Sequence, residues 1–162
     1  MPASYQKERL LTFIDPARDA LGQGYNVMQA RIAIGSGGLF GRGLGLGSQS
    51  QLRFLPESQT DFIFSVLGEE LGFVGAIFVL LLFLLCLGRL LRIILGAPDD
   101  FGAFLTLGVF AVILIQMTVN IAMNVDLLPV TGITLPFVSY GASALVIFLA
   151  EIGLALSVSR NA

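Results

Sequence analysis

Residues 52–75 read LRFLPESQTDFIFSVLGEELGFVG, and the fold turns on how this stretch is read. It starts polar and becomes an apolar run that continues to residue 95, long enough for a membrane span, which needs about 20 apolar residues. It carries four carboxylates, Glu57, Asp61, Glu69 and Glu70. Ionisable groups in or at the lip of a span are costly in hydrocarbon and point to function. Asp61 stands where the water-facing segment meets the apolar helix. A carboxylate there can meet substrate at headgroup level while the helix holds it still. Pro56 suits the first position of a helix and Glu57 its first turn. A helix starting at Pro56 would make Glu57 and Asp61 i, i+4 neighbours about 6 Å apart; a start at Thr60 would leave Glu57 on the loop. Glu69 and Glu70 point about 100° apart on a helix, so at least one must pack on another helix or line a polar cavity.

Working outward, the composition agrees with a membrane protein: 56% of the 162 residues are hydrophobic and 12% charged, against about 25% charged in soluble domains. The net charge of −2 gives no case for nucleic acid. The absence of histidine excludes histidine-based catalysis and histidine metal sites. Cys86, in LLFLLCLGRLL, reads as packing filler, and a single cysteine cannot form a disulfide within the chain. The start, MPASYQKERLLTF, lacks the apolar core of a signal peptide.

Residues 1–60 contain no span and read as a largely irregular, glycine-rich segment with short amphipathic helices. Val27–Ile34 is one such helix, with apolar positions at 27, 28, 32 and 34. Seven glycines fall between Gly35 and Gly47. Their spacing around Gly41 and Gly43 lacks the flanking strand of a dinucleotide fold. They read as an interfacial loop turning through positive φ, a composition that would also let backbone amides approach a phosphate. The first span is placed at 61–95, with Gly68, Gly72 and Gly75 as small positions for close helix contact. The second covers 101–123. Gln116, Asn120 and Asn124 repeat every four residues and form one polar stripe, read either as interhelical hydrogen bonding or as substrate contact. The loop 124–135 is apolar enough to pack on protein or dip into the membrane. The third span runs from Pro136, a candidate first helical residue, to 160. Ser139 lies near its start and Glu151 deep within it, in need of a partner.

Antiparallel connectivity puts Asp61, the Pro129 loop and Pro136 on one side. Six of the nine basic residues precede Asp61. Near the span ends, however, Arg53 stands alone on that side against Arg89, Arg92 and Arg160 on the other. Short-range charge is what orients spans, so the Asp61 end is read as extracytoplasmic and the C-terminus as cytoplasmic.

The stretches GSGGLFGRGLGLGSQSQLRFLPESQTDFIFSVLGEELGFVG, NIAMNVDLLPVTGITLPFVSYGASALV and DPARDALGQGYNVMQARIAIGSGGL closely resemble signatures of the SEDS family (shape, elongation, division and sporulation), in its RodA-like form. The likeness runs from Leu11 to Arg160. It implies an all-α integral membrane fold of the bacterial inner membrane, this chain being the C-terminal portion of a larger multi-span protein. It implies a peptidoglycan glycosyltransferase that polymerises lipid II beside a class B penicillin-binding protein. The family's catalytic aspartate carries over to Asp61 and the motif glutamate to Glu57. Glu69 and Glu70 take the motif's paired-glutamate positions. The chain departs from the family at Gln59 and Ala142, and it lacks the upstream spans with their basic residues. A split protein with the N-terminal half as a separate chain, and a gene fragment inactive alone, are the readings this leaves.

On that reading Asp61 is the general base that deprotonates the acceptor hydroxyl. Arg31, Arg42 and Arg53 are the cations on its side for the leaving pyrophosphate, which a divalent cation, magnesium or manganese, could also neutralise. Glu69, Glu70, Gln116, Asn120 and Ser139 complete the candidate substrate contacts. Two other functions use the same residues. A flippase for the lipid-linked precursor would couple Glu69, Glu70 and Glu151 to protons. A non-catalytic module would only dock the penicillin-binding protein among membrane lipids.

Overall fold

The computed structural model describes residues 23–47 and 59–160. Glu57 and Arg53 lie outside the described residues, as does most of the segment 1–60. Four helices follow in order: α1 (Gln23–Gly37), α2 (Ile63–Leu95), α3 (Asp100–Asn124) and α4 (Ala142–Arg160). There is no strand among the described residues. α2, α3 and α4 are each long and apolar enough to cross a membrane.

Local chemistry sets most of the helix ends. α2 closes at Gly96, whose N–H donates to the Arg92 carbonyl while Ala97 N donates to that of Ile94, with Arg92 in the last turn opposite the helix dipole. Asp99 caps α3 by accepting from Gly102 N at 3.4 Å, and Asp100 adds negative charge to its first turn. α4 does not start at Pro136. Residues 136–140 form turns, with Phe137 at φ 63°, and the helix begins at Ala142. The turns let this stretch pack on the mouth of α2 instead of winding up.

The three long helices meet in one apolar seam. Phe83, Leu87 and Leu90 of α2, Val109 and Ile113 of α3, and Phe148 and Ala155 of α4 are buried there. Phe137 extends it, its ring centroid 5.4 Å from that of Phe148. Gly102 lets α4 approach closely, since a Cβ there would stand 2.7 Å from Val158 Cγ1. The outward faces stay apolar and exposed, as at Phe78, Leu81, Leu85 and Leu149, which is what helices surrounded by hydrocarbon or by further spans require.

The first span is not one helix. At Gly72 the backbone turns to φ 69°, ψ −167°, and splits α2. At 1.5 Å per residue, 33 residues reach about 50 Å, well beyond a hydrocarbon core of about 30 Å. The break sets an outer piece, 63–71, on top of a span, 73–95. The glycine loop heals it. In a continuous helix Phe73 N would donate to Glu69 O and Val74 N to Glu70 O. Here Arg42 N and Gly43 N donate to those carbonyls, both at 3.0 Å, while Phe73 N and Val74 N donate to Gly38 O and Leu39 O at 2.9 and 3.1 Å. The loop thus does more than lie at the interface: it occupies the break. Its positive φ values at Gly38, Gly41, Gly43 and Gly45 match the sequence reading. Two of its amides are spent on carbonyls and cannot serve a phosphate.

α1 runs from 23 to 37, longer than the 27–34 helix expected, and it uses a different face. Met28 and Ile32 point outward; Ala30, Ala33 and Gly37 are buried against α2. The contact is so close that a Cβ on Gly37 would sit 1.9 Å from Gly68 O. Gly68 therefore does serve helix contact, as its spacing suggested, whereas Gly72 serves the break.

Candidate functional site

The outer ends of α2 and α3 and the loop 124–141 converge on residues 59–65. Phe62 anchors the turn: it is 1% exposed and packs with Ala30 of α1, Val66 and Val130. Its neighbour Asp61 is half-buried, at the rim. Residues 59–62 are turns and α2 proper starts at Ile63, so Asp61 precedes the helix that was expected to include it.

Three successive backbone carbonyls of this turn are tied to the other elements. Tyr140 N donates to Gln59 O at 2.7 Å. Ser139 Oγ donates to Thr60 O at 2.7 Å and accepts from Leu135 N at 2.7 Å. Asn120 Nδ2 and Asn124 Nδ2 both donate to Asp61 O, each at 3.0 Å. Asn120 also reaches Ile133 O at 2.7 Å, tying the loop to the same point. Asn124 Oδ1 accepts from Ser65 N at 3.1 Å and from Ser65 Oγ at 2.6 Å. Ser65, Asn120 and Asn124 are at most 1% exposed, and these bonds satisfy polar groups that burial would otherwise penalise. The half-buried Asp61 carboxylate lies over Gly132, where an added Cβ would come 3.6 Å from Asp61 Oδ2. Gly132 has φ 76°, a conformation that favours glycine.

The sequence-derived candidates fall into two groups. Asp61, Asn120 and Ser139 come together in the cluster just described. Arg42 and the paired glutamates meet at the break: Arg42 N bonds Glu69 O, and Arg42 Nε donates to Ser36 O at 3.3 Å. Glu69 is fully buried and Glu70 half-buried. Arg31, on the exposed side of α1, forms an ion pair with Asp126, which stands at φ 63° just past α3. Gln116 is half-buried one turn before Asn120. Ser65, Thr60 and Gly132 were not singled out from sequence, because their roles depend on loop packing with no local signature. Asn124 was visible as the third member of the polar stripe. Among the described residues no group of three or more Cys, Asp or Glu stands close enough to hold a metal ion. Glu151 lies in α4 with Oε2 buried and, among the described residues, without a hydrogen-bond partner.

An apolar groove of about 310 Å³ starts one turn beyond Asp61. It follows Phe64, Gly68, Gly72, Ala76 and Leu80 along α2 and is closed from the α3 side by Ile121.

Comparison with known proteins agrees with this architecture. A profile of the FtsW/RodA/SpoVE family, described as a cell cycle protein, matches residues 1–162. Stage V sporulation protein E of Bacillus subtilis is 49% identical over 99% of this chain and 43% of its own length. Peptidoglycan glycosyltransferase MrdB of Escherichia coli K12 is 47% identical over 97% of this chain and 42% of its own. A probable peptidoglycan glycosyltransferase FtsW of Geobacter sp. is 45% identical over 98% of this chain and 43% of its own. A solved peptidoglycan synthase complex, described as coordinating polymerization and crosslinking, contains a chain of TM-score 0.73 and 35% identity, matched over 97% of this chain and 42% of that one. A mutant of the Thermus thermophilus rod shape determining protein RodA gives TM-score 0.63 at 39% identity, over 82% of this chain and 39% of that one. This chain thus spans about two fifths of the length of the curated relatives it matches. With a profile match along its whole length and these identities, the chain belongs to the FtsW/RodA/SpoVE family, the SEDS proteins.

Proposed function

We propose that this chain carries the general-base end of a peptidoglycan glycosyltransferase site that works on lipid II at the outer face of the bacterial inner membrane. The observation that carries the reading is the placement of Asp61: half-buried at the rim of the first span, on a turn whose carbonyls are tied to two other elements. A base must be held against its substrate, and rigid presentation of one carboxylate at the start of the span supports that role.

In the proposed reaction the Asp61 carboxylate takes the proton from the 4-hydroxyl of one lipid-linked sugar. The freed oxygen pair bonds to the anomeric carbon of the other. The bond from that carbon to the pyrophosphate oxygen breaks, and polyprenyl pyrophosphate leaves with the pair. Both substrates are anchored in lipid while their sugars stand in water, so a base at the water–lipid lip suits them. The groove along Phe64, Gly68 and Gly72 offers a place for an apolar chain one turn below the base. Arg31 and Arg42, both exposed, are the described cations proposed to face the leaving group; Arg31 pairs with Asp126, and Arg42 Nε donates to Ser36 O. Glu57 and Arg53 belong to the same proposal.

The chain's proposed partners are a class B penicillin-binding protein, by analogy with the synthase complex, and the remaining spans of a family-length protein, whether in one chain or two. Alone, the chain is expected not to polymerise. The test is Asp61→Asn in a family-length protein carrying this segment. A general base contributes about 10²–10⁴-fold, so glycan polymerisation from purified lipid II should fall by that factor at unchanged membrane abundance. Polymer forming at the unmodified rate would remove Asp61 from the reaction.

A further inference from the structure

We infer that Asn120 and Asn124 are positioning residues for Asp61, and that Asn124 in particular keeps Asp61 from becoming the N-cap of a longer α2. This deepens the glycosyl-transfer reading and rests on it for the functional consequence, though not for the geometry.

The first turn of α2 shows how. If the helix began one residue sooner, Asp61 O would accept the N–H of Ser65, four residues on. That bond is absent from the structure. Ser65 N instead donates to Phe62 O at 3.0 Å and to Asn124 Oδ1 at 3.1 Å. Asp61 O accepts from Asn124 Nδ2 at 3.0 Å. The side-chain amide of Asn124 therefore stands between the two groups that a longer helix would join, with its oxygen facing the donor and its nitrogen facing the acceptor. Asn120 completes the arrangement. A carbonyl oxygen has two lone pairs, and the two asparagine amides supply a donor for each. With both acceptor sites filled, Asp61 O has nothing left to offer a helical N–H.

The consequence falls on the carboxylate. As the N-cap of a longer helix, Asp61 would turn its carboxylate onto the first-turn amides of Ile63 or Phe64. Held in the turn, Asp61 instead sets its carboxylate over Gly132 on the loop from α3. Asn120 reaches Ile133 O with the same amide nitrogen, so the loop bearing Gly132 and the turn bearing Asp61 are registered by one side chain. Ser139 repeats the device one residue earlier, through Thr60 O. The buried asparagines thus need no contact with substrate to matter for it. Buried amides of this kind are hard to replace, because removing one partner leaves the other unsatisfied.

The test has two arms. In this chain, reconstituted in lipid nanodiscs, the ¹³Cα shift of Phe62, which would become the first helical residue, is expected to move toward the helical value in Asn124→Leu and to stay put in Thr106→Ala, a buried control that bonds its own helix at Gly102 O. In a family-length protein carrying the segment, Asn124→Leu is expected to lower kcat for glycan polymerisation about 10–100-fold, the scale of a misplacement near 1 Å, with KM for lipid II unchanged. Ser65→Ala, which removes one of the two donors to Asn124 Oδ1 and is the milder change, is expected to lower kcat in the same direction by less. Ser139→Thr, which keeps the hydroxyl, should retain activity that Ser139→Ala loses. A Phe62 shift that does not move, or unmodified kcat per folded molecule in both Asn124→Leu and Ser65→Ala, would overturn the inference. Full activity in Asp61→Asn would overturn the glycosyl-transfer reading instead, and the geometry would then stand or fall on the Phe62 shift alone.

Discussion

Replacing Gly72 with alanine should straighten α2 and eject the glycine loop. The observed state has four hydrogen bonds across the break, two into the Glu69 and Glu70 carbonyls and two from the Phe73 and Val74 amides. The straight state would have the two direct bonds, Phe73 N to Glu69 O and Val74 N to Glu70 O. The break therefore gains two bonds, about 1 kcal/mol each, or roughly 2 kcal/mol in its favour. An alanine at φ 69°, ψ −167° costs about 1–3 kcal/mol in backbone strain. Its Cβ would also stand 2.2 Å from Gly41 N and 2.7 Å from Leu39 O, so the loop backbone must move and its bonds weaken. Together these cancel or reverse the preference. Amide hydrogen exchange on the chain in nanodiscs reads the outcome residue by residue. The Arg42 and Gly43 amides are expected to be protected in the unmodified chain and to exchange at least about 30-fold faster in Gly72→Ala, the equivalent of 2 kcal/mol. The Phe73 and Val74 amides should stay protected in both, because they only change partners. Protection of Arg42 and Gly43 that survives the substitution would refute the account of the break as an exchange of bonds between loop and helix.

Two further outcomes follow from the same contacts. Gly37→Ala places a Cβ 1.9 Å from Gly68 O, backbone that cannot swing away, so α1 should detach from α2 and its residues become accessible to limited proteolysis; an unchanged cleavage pattern would show that the helices do not approach this closely. Arg31 is 59% exposed while the Asp126 side chain is 11% exposed, so solvent reaches the pair from the arginine side. A double-mutant cycle of Arg31→Ala and Asp126→Ala on thermal unfolding should therefore give a coupling of about 0.2–1 kcal/mol that shrinks in high salt, and a larger, salt-insensitive value would mean the pair is more enclosed than its geometry shows.

Much of the fold was legible because hydrocarbon imposes few choices. The apolar runs, the Pro98–Asp100 turn and the arginines near the ends of α2 and α4 mark three long helices without reference to any contact. Asp61 stood out for the same reason, as a charge at a lip where charge is costly. The polar stripe could be seen but not interpreted. Helical periodicity puts Gln116, Asn120 and Asn124 on one face, yet whether that face meets substrate, another helix or a backbone carbonyl depends on what packs there. The glycine run showed loop geometry but not its destination, since positive φ is a local property and the break it fills is 30 residues away. Pro136 was misleading as a helix start, because a favourable first-turn residue is a weak preference that the Ser139 and Tyr140 bonds to residues 59 and 60 outweigh.

The sequence by itself determined that this chain carries spans apolar enough to enter a membrane, that its helices run where the apolar stretches lie, and that a carboxylate, Asp61, stands at the start of the first of them. These follow from solvent chemistry acting on each residue separately. Only the tertiary structure decided that α2 is broken at Gly72, that a loop carries its missing bonds, and that two asparagines from another helix hold Asp61 in a turn. Backbone donors and acceptors are the same at every residue, so the choice of partner is settled by which segments are brought together in space.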